Sequence, residues 1–417
     1  MNSALKLSIR RFAQIDAAEI DFGAEGDLTI LVGHQATGKS LILQWLKLVT
    51  DPISVRSDWE KFGSNWKTRD ELRPLDLFFG EGMGKGYVPG TTSIRFNGKE
   101  VNLRTIFNRA SGRRSGEEEE PVESTYFIPA HRALLLTDGW PRNFQQHVPG
   151  TPYVARAQSE RLARWLSDAE SKIFPIANRL PKELRDLFDE AIFHSATLDV
   201  DRSSPQSRLI LKAGQSSSIP YMAWTAGQRE FVPLLIALYE LMPSGGNPRL
   251  QKQGVANIRT VILEEPELGL HPKALFAVGI GILHLLARGY RVVVSSHSPL
   301  MVDFAWAINR LRVARSREKA GTRQMLDAFE LRSTAPNKEL VSRLSATKAR
   351  TYYLAYSGSS GSSKSVKAKD ISSLQTYSSD PDKSSWGELL KYSSSLAEVI
   401  GQLDLDFSQL SEEDLVR

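Results

Sequence analysis

The sequence contains no cysteine among its 417 residues. This absence excludes disulfide bonds, cysteine-ligated zinc sites and cysteine nucleophiles. Long hydrophobic runs are also missing, because the longest apolar stretches, 231–241 and 277–287, fall short of the ~20 residues that cross a bilayer. The first residues, MNSALKLSIRRF, lack the apolar core of a signal peptide. We therefore expect a cytoplasmic protein with no membrane segment.

Neither sign of charge is in large excess. Lys and Arg total 53 and Asp and Glu total 48, which gives a net charge of +5. This is unlike the dense basic stripe of a protein that coats DNA. A local basic run does exist, and it consists of Arg310, Arg312, Arg315, Arg317, Lys319 and Arg323. Such a run is typical either of a solvated helix face or of a surface that binds an acidic partner.

One segment matches the pattern of a phosphate-binding loop in full. The apolar segment 28–32 predicts a strand, and 41–49 has the apolar spacing of a helix. Between them lie Gly33, His34, Gln35, Ala36, Thr37, Gly38, Lys39 and Ser40. In such a loop, backbone N–H groups surround phosphate oxygens, the lysine contacts the outer phosphates and the serine hydroxyl binds Mg²⁺. A chance glycine turn before a helix is the alternative, which the flanking strand and helix disfavour.

Two adjacent carboxylates follow a second apolar strand, predicted at 260–263. At a strand end beside a phosphate loop, Glu264 is suited to bind Mg²⁺ together with Ser40, and Glu265 to act as the general base for water. Glu267 lies beyond Pro266, and we interpret it as structural support. A charged loop after a core strand is the alternative interpretation.

A histidine follows a third apolar strand, predicted at 291–295. His297 is thereby placed to contact a γ-phosphate, whereas a lone histidine is more often a hydrogen-bonded structural residue. A turn of small residues, which comprises Thr225, Ala226, Gly227 and Gln228, precedes an amphipathic helix. The N-terminus of a helix binds anions, although an ordinary N-cap by Thr225 explains the same pattern.

The order of these motifs resembles the ATP-binding head of ABC-type ATPases. The phrases GHQATGKS, TAGQRE, VILEEPELGLHP and VVVSSHSP are most similar to the soluble overcoming-lysogenization-defect group, which is related to the SMC ATPases. The resemblance implies an α/β fold, in which a mixed sheet is flanked by helices, with a helical insertion and an α-rich C-terminal part. It also implies ATP and Mg²⁺ as cofactors, with residues 225–228 as a signature loop that acts in trans.

In that family the signature loop covers ATP bound by the facing subunit, and residues 268–271 would meet that subunit. The resemblance therefore implies a homo-oligomer built from ATP-sandwich dimers, with higher assembly such as a hexamer left open. Trp224 and Ala226 depart from the L-S-G-G-Q pattern of transporters. The segment 129–132 is the candidate for the Q-loop, although it contains no glutamine.

These motifs divide the chain into four segments. Residues 1–50 and 206–305 form the two parts of the ATPase head, 51–205 form an inserted β/helical region, and 306–417 form a C-terminal region with a flexible loop at 357–369. The 184 residues between Ser40 and Thr225 show no sustained heptad pattern, which disfavours a long coiled coil. Asp404 and Asp406 form a D-x-D, but we interpret them as a polar helix exit rather than a nuclease site.

Stand-alone proteins of this layout resemble the ATPase components of bacterial anti-phage systems such as PARIS and Septu. That resemblance implies a slow, regulatory ATPase that serves as a sensor and scaffold. Its partners would be a separate Toprim-type effector nuclease and an acidic phage protein as the trigger. The alternative is an SMC-like ATPase of DNA repair that binds DNA directly, and a transporter subunit is disfavoured.

Overall fold

The protein is described by a computed structural model that covers residues 4–64, 66, 72–108, 122–177, 179–203, 205–214, 217–242, 257–318, 321–357 and 365–401. The strands are β1 (Lys6–Phe12), β2 (Ile15–Asp21), β3 (Leu28–Gly33), β4 (Ser93–Phe96), β5 (Lys99–Glu100), β6 (Thr125–Ile128), β7 (Leu136–Thr137), β8 (Trp140–Pro141), β9 (Lys172–Phe174), β10 (Thr197–Asp201), β11 (Arg208–Ala213), β12 (Ser217–Pro220), β13 (Thr260–Glu264), β14 (Arg291–Ser295), β15 (Ala349–Ser357) and β16 (Ser365–Asp370). The helices are α1 (Lys39–Thr50), α2 (Pro52–Lys61), α3 (Arg73–Phe79), α4 (Leu103–Asn108), α5 (Tyr153–Asp168), α6 (Lys182–Phe188), α7 (Ala226–Leu241), α8 (Pro272–Ala287), α9 (Pro299–Ser316), α10 (Thr322–Ala328), α11 (Ala335–Arg343), α12 (Pro381–Ser384) and α13 (Lys391–Gly401).

A ten-stranded mixed sheet forms the centre of the molecule. Its order is β5-β4-β1-β2-β16-β15-β3-β14-β13-β6. The strands from β15 to β6 pair in parallel, whereas β1, β4 and β5 form antiparallel pairs at the other end. The sheet takes strands from all four predicted segments. A mixed sheet flanked by helices is thus confirmed, while the segment boundaries as domain limits stay a prediction.

The sheet has a hydrophobic core on each face. Leu31, Ile262 and Val293 point to the side where α1 packs, and their neighbours along each strand point to the side of α7, α8 and α9. This alternation follows from the two-residue period of a strand. Strands buried on both faces read as continuous apolar runs, which is why β3, β13 and β14 are visible in the sequence.

A second, antiparallel sheet of β12-β11-β10-β9 lies beside the first residues of α7. Aromatic side chains link it to the helix, because the ring of Phe174 in β9 lies 4.2 Å from that of Phe193, which lies 5.9 Å from that of Phe231 in α7. The ring of Phe188, at the end of α6, also lies 4.7 Å from that of Phe231. A π-helical turn, Asp189–Phe193, connects α6 to this sheet. The inserted region thereby supports the N-terminal end of α7.

Parallel pairing brings the carboxyl ends of three strands to one edge of the large sheet. Glu264 of β13 is in register with Ser295 of β14, and Ser295 is in register with Leu31 of β3. The loops that follow these strands are therefore neighbours, although they lie far apart in the sequence. Within the described residues, no helix is long and apolar enough to cross a membrane.

The predicted flexible loop at 357–369 is wrong for its second half. Residues 365–369 belong to β16, which pairs with β15 and β2 and buries Val366. The Ser, Gly and Lys composition hides this strand because only its long-range partners stabilise it. Residues 358–364 and the D-x-D of Asp404 and Asp406 lie outside the described residues.

Candidate nucleotide site

The phosphate loop lies between β3 and α1, as the sequence predicts. Gly38 precedes the helix in a left-handed conformation with φ 88°, which glycine adopts at little cost. The Thr37 hydroxyl donates to the His34 carbonyl at 2.8 Å. Lys39 folds back over the loop, because its Nζ donates to the carbonyls of Gly33 and His34 at 2.8 and 2.9 Å. The loop is therefore preformed around the lysine.

The ammonium group of Lys39 is partly desolvated. Its side chain is buried, and burial lowers its pKa to about 8, although the charges of Glu265 and Glu267 act in the opposite direction. A phosphate group that entered the loop would stabilise the charged form. The loop thus presents a cation that gains from an anionic ligand.

Glu264 is buried at the end of β13, next to the start of α1. Burial raises its pKa to about 7, while the nearby Ser40 hydroxyl lowers it. One carboxylate oxygen accepts the Ala130 N–H at 3.2 Å. The other, Oε1, is buried without a protein hydrogen bond of normal geometry. A hydroxyl and an orphaned carboxylate oxygen are the kinds of ligand that Mg²⁺ prefers, so these residues fit the metal.

Glu265 and His297 face each other across the strand ends. The distance between Glu265 Oε1 and His297 Nε2 is 3.6 Å, and both side chains are half-buried. Hydrogen bonding to His297 lowers the pKa of Glu265, despite the opposing effect of burial, and Lys39 adds to the lowering. Glu265 is therefore ionised at neutral pH, as a general base must be.

Glu267 supports the loop that carries His297. Its Oε1 accepts the Ser296 hydroxyl at 3.0 Å and the backbone N–H of His297. The left-handed φ of 42° at Glu265 turns the chain so that Glu267 can reach this loop. The supporting role that the sequence suggested for Glu267 therefore has a specific partner.

The signature turn forms the N-terminus of α7. Thr225 accepts the Gln228 N–H at 3.2 Å, and the Gln228 side chain accepts the Thr225 N–H at 3.1 Å, which makes a capping box. Gly227 lies against the backbone of the 268–271 loop, where a Cβ atom would come within 2.8 Å of the Gly269 carbonyl. Among the described residues, no hydrogen bond or ion pair joins 225–228 to the phosphate loop. The N-cap by Thr225 is thus present, and the role of the same turn as a signature loop stays a prediction.

Three residues near the site carry no motif of their own. Arg132, in the candidate Q-loop segment, is buried beside Glu264 and Glu265. Glu388, in the C-terminal region, lies 2.6 Å from Nε2 of His34. The Tyr356 hydroxyl donates to the carbonyl of Ala36 at 3.0 Å. Only the tertiary fold brings these three residues to the site. The sequence therefore offers no local signal for Glu388 or Tyr356.

Comparison with known protein families gives a match that covers part of the chain. Residues 178–303 match the family described as "AAA domain, putative AbiEii toxin, Type IV TA system". The matched part contains the signature turn, the carboxylate pair and His297. In sequence, the chain matches no curated protein.

Three of the solved structures that this chain resembles over part of its length are the following. An SMC head bound to the C-winged helix domain of ScpA is 10% identical, with 72% of this chain and 91% of that chain covered and a TM-score of 0.38. An SMC head domain from Thermotoga maritima is 15% identical, with 73% and 92% covered and a TM-score of 0.32. An ATP-binding cassette dimer in a post-hydrolysis state with ADP and Pi is 9% identical, with 72% and 90% covered and a TM-score of 0.32.

The mixed sheet, the phosphate loop and the strand-end carboxylates together are typical of P-loop nucleotide-binding domains. The family match covers the part of this arrangement that lies within residues 178–303. The catalytic, metal and signature roles of individual residues remain predictions.

Proposed function

We propose that the protein binds ATP with Mg²⁺ and hydrolyses it to ADP and phosphate. The observation that carries this proposal is the meeting of Lys39, Glu264 and Glu265 at one edge of the sheet, with His297 on the adjoining loop. Phosphoryl transfer depends mainly on positioned charges around the phosphates, and these residues supply both signs of charge.

The proposed roles follow from the geometry of each residue. Lys39 and the backbone N–H groups of residues 33–40 bind the β- and γ-phosphates. Ser40 and Glu264 hold Mg²⁺, which supplies charge neutralisation of the phosphate oxygens when it is bound. The described residues contain no group of three or more acidic or histidine side chains that could hold a metal by themselves. The ion would therefore take its remaining ligands from phosphate and water.

Glu265 accepts a proton from the attacking water in this proposal. Its lowered pKa keeps it ionised, and His297, 3.6 Å away, is positioned to contact the γ-phosphate and to orient the carboxylate. Glu267 holds the His297 backbone, so it positions the reacting groups without contacting the nucleotide.

Two substitutions test hydrolysis separately from binding. Lys39→Ala should abolish ATP binding in a calorimetric titration, because the loop loses its cation. Glu265→Gln should retain ATP while phosphate release falls by ~10²-fold or more, since a positioned general base contributes 10²–10⁴-fold. Lys367→Ala, at an exposed lysine that pairs with Asp16, serves as the control. Native turnover in Glu265→Gln would show that the base is assigned wrongly.

We further propose that ATP is sandwiched between two copies of the chain. The support is the turn at residues 225–228, which, within the described part of the chain, makes no hydrogen bond or ion pair with the phosphate loop of its own chain. The turn combines a helix N-terminus with a close approach to the 268–271 loop, so both would face the second copy. ATP would then favour a homodimer, and dimers could assemble further, up to a hexamer.

The biological role that we propose is that of a cytoplasmic sensor and scaffold in bacterial anti-phage defence. The motif order resembles AriA, the ATPase of the PARIS system, and the matched family description names a toxin of a toxin–antitoxin system. The effector would be a separate Toprim-type nuclease, and an acidic phage protein would be the trigger. Hydrolysis would be slow, since ATP serves to regulate the assembly.

Plaque assays test this role in cells that carry the gene with its neighbours. Protection against phage should disappear with Lys39→Ala and persist with the control Lys367→Ala. A permease gene next to this one, or equal protection by both variants, would contradict the defence role.

A DNA-binding ATPase of the SMC-like repair type is the second candidate. It is favoured by Arg310, Arg312 and Arg315 in the C-terminal half of α9 and by Arg317, which follows the helix. Arg310 lies 5.8 Å from the ring of the exposed Trp306. Duplex affinity measured between 50 and 200 mM salt should fall steeply if these arginines contact phosphates. A flat salt dependence would remove direct DNA binding.

A further inference from the structure

Arg132 is the most completely buried charged side chain near the site. It follows β6 after a left-handed turn at His131, and its side chain is 1% exposed. Burial lowers its pKa from the usual value, although the surrounding glutamates counteract this. A buried guanidinium is costly unless its N–H groups are paired, so its partners identify what it does.

The guanidinium binds four backbone carbonyls. Nε donates to Glu230 at 2.9 Å, and Nη1 donates to Pro129 at 3.2 Å and to Glu264 at 2.9 Å. Nη2 donates to Glu265 at 3.2 Å. The nearest carboxylate oxygen, Glu230 Oε2, is 3.8 Å away. Arg132 is thus held chiefly by main-chain oxygens, and its planar fork fixes their relative positions.

These carbonyls belong to two functional elements. Glu230 lies in the second turn of α7, directly behind the signature turn, whereas Glu264 and Glu265 carry the carboxylates proposed to bind Mg²⁺ and activate water. The arginine therefore connects the helix that faces the second chain to the carboxylate pair that acts on the nucleotide of its own chain.

We propose that Arg132 is a positioning residue that couples the two ATP sites of the dimer. When ATP bound by the partner contacts the signature turn, α7 is displaced or fixed in position. Because Arg132 is bonded both to α7 and to the carbonyls of Glu264 and Glu265, a change in the position of α7 changes the position of those two peptide groups. The left-handed conformation of Glu265, with φ 42°, gives its side chain a direction that depends on where its carbonyl is held. This inference rests on the proposed ATP-sandwich function.

The test compares Arg132→Lys with Arg156→Lys. Arg156 is a matched control because it is also buried and donates to three carbonyls, those of Val148, Pro149 and Thr151, away from the site. Lysine keeps the charge in both variants but loses the planar fork. ATP affinity, KM, kcat and melting temperature are measured for the full-length wild type and both variants.

We expect Arg132→Lys to lower kcat by at least ~10-fold, while KM and the ATP dissociation constant stay within about twofold, because Arg132 does not contact the phosphate loop. The rise of specific activity with protein concentration should flatten, since dimerisation no longer aligns the carboxylates. Arg156→Lys should shift the melting temperature by a similar amount and leave kcat unchanged. A purely structural arginine would lower stability and kcat alike in both variants.

Arg132→Gln provides a second variant if Arg132→Lys does not fold, since its amide can still donate to one or two of the carbonyls. A kcat within twofold of the wild type in whichever variant folds, or equal kcat losses at positions 132 and 156, would overturn the inference. Absence of hydrolysis in the wild type would instead overturn the proposed function. Hydrolysis that depends on Glu265 but not on Arg132 would refute only the coupling.

Discussion

His284 is a buried histidine in α8, and it shows how a single residue sets the response of the fold to pH. Its side chain is 7% exposed, and burial, reinforced by the charge of Arg288, lowers its pKa to about 3. In the unfolded chain its pKa is ~6.5. The folded protein therefore binds fewer protons than the unfolded chain between these values, and stability falls as the pH falls below ~6.5.

We predict that His284 alone makes the free energy of unfolding about 1.4 kcal/mol smaller at pH 5.5 than at pH 8, because the unfolded chain binds a proton at this histidine and the folded chain does not. Urea unfolding of His284→Leu should lack this part of the pH dependence. His194→Asn, at an exposed histidine whose left-handed φ of 49° suits asparagine, should retain it. Identical pH profiles for the wild type and His284→Leu would contradict the prediction.

Glu388 places a negative charge beside the phosphate loop, where it pairs with His34. Removing this charge should help an anionic nucleotide to bind. We expect Glu388→Gln to tighten ATP binding severalfold at low salt, with a smaller gain at high salt because the site is half-exposed. Glu339→Gln, which removes an exposed carboxylate from α11, should change nothing. Weaker binding would mean that Glu388 instead stabilises the loop.

At the scale of elements, α1 is tied to β6 and α5 by buried charges. Lys47 Nζ lies 2.8 Å from Asp51 and 2.5 Å from Glu123, and it also donates to the Thr125 carbonyl at 2.7 Å. Burial alone would lower the pKa of Lys47, but the two carboxylates outweigh it and raise the pKa. Glu123 pairs in turn with Arg161 of α5. The helix behind the phosphate loop is thereby anchored by ion pairs as well as by apolar packing.

Removing Lys47 should strongly destabilise the protein. Lys47→Met leaves Asp51 and Glu123 buried near each other with one cation fewer, and we expect a loss of about 3–5 kcal/mol in urea unfolding. Arg343→Met, which breaks the exposed Glu339–Arg343 pair, should cost ~0–0.5 kcal/mol. A loss below ~1 kcal/mol for Lys47→Met would show that water or rearrangement satisfies the acidic pair.

At the scale of the whole molecule, the proposed ATP sandwich predicts complementation between two inactive chains. Lys39→Ala removes the phosphate site and keeps the signature turn. Gly227→Val keeps the phosphate site but adds a side chain where the Gly269 carbonyl lies 2.8 Å from the Cβ position. Each variant alone should be inactive.

An equal mixture of the two variants should recover at most about a quarter of the wild-type rate, since half of the dimers are mixed and each mixed dimer has one complete site. Coupling through Arg132 would lower the recovery below a quarter, because the chain that binds ATP in a mixed dimer has no engaged signature turn of its own. The measurement is phosphate release across mixing ratios, with a maximum near equal amounts. No recovery at any ratio would contradict a signature loop that acts in trans between independent sites.

Several features of the fold and site could be predicted from the sequence because they are local. The apolar runs of β3, β13 and β14 mark strands buried on both faces, and the residues at their ends are adjacent in the sequence. The turn at Asn97-Gly98, with φ 49° and 79°, likewise follows from residues that tolerate a left-handed backbone. These signals are sufficient to identify the phosphate loop and the carboxylate pair.

Other features could not be predicted because they depend on distant partners. Strands β15 and β16 insert between β3 and β2, and the polar composition of β16, SVKAKD, gives little sign of a strand. The pairing of Glu388 with His34 spans 354 residues of the chain. Arg132 shows no motif, since its partners are main-chain oxygens, which any residue type provides.

The sequence by itself therefore determined the chemistry of the candidate site, because a phosphate loop needs particular residues at fixed local spacing. Only the tertiary structure decided which other groups surround it. Parallel pairing of β3, β14 and β13 brought Glu264, Glu265 and His297 to Lys39, and the return of the C-terminal region brought Glu388. The absence of cysteine excluded thiol chemistry from the start, whereas the burial that shifts the pKa values of Lys39 and Glu264 exists only in the folded chain.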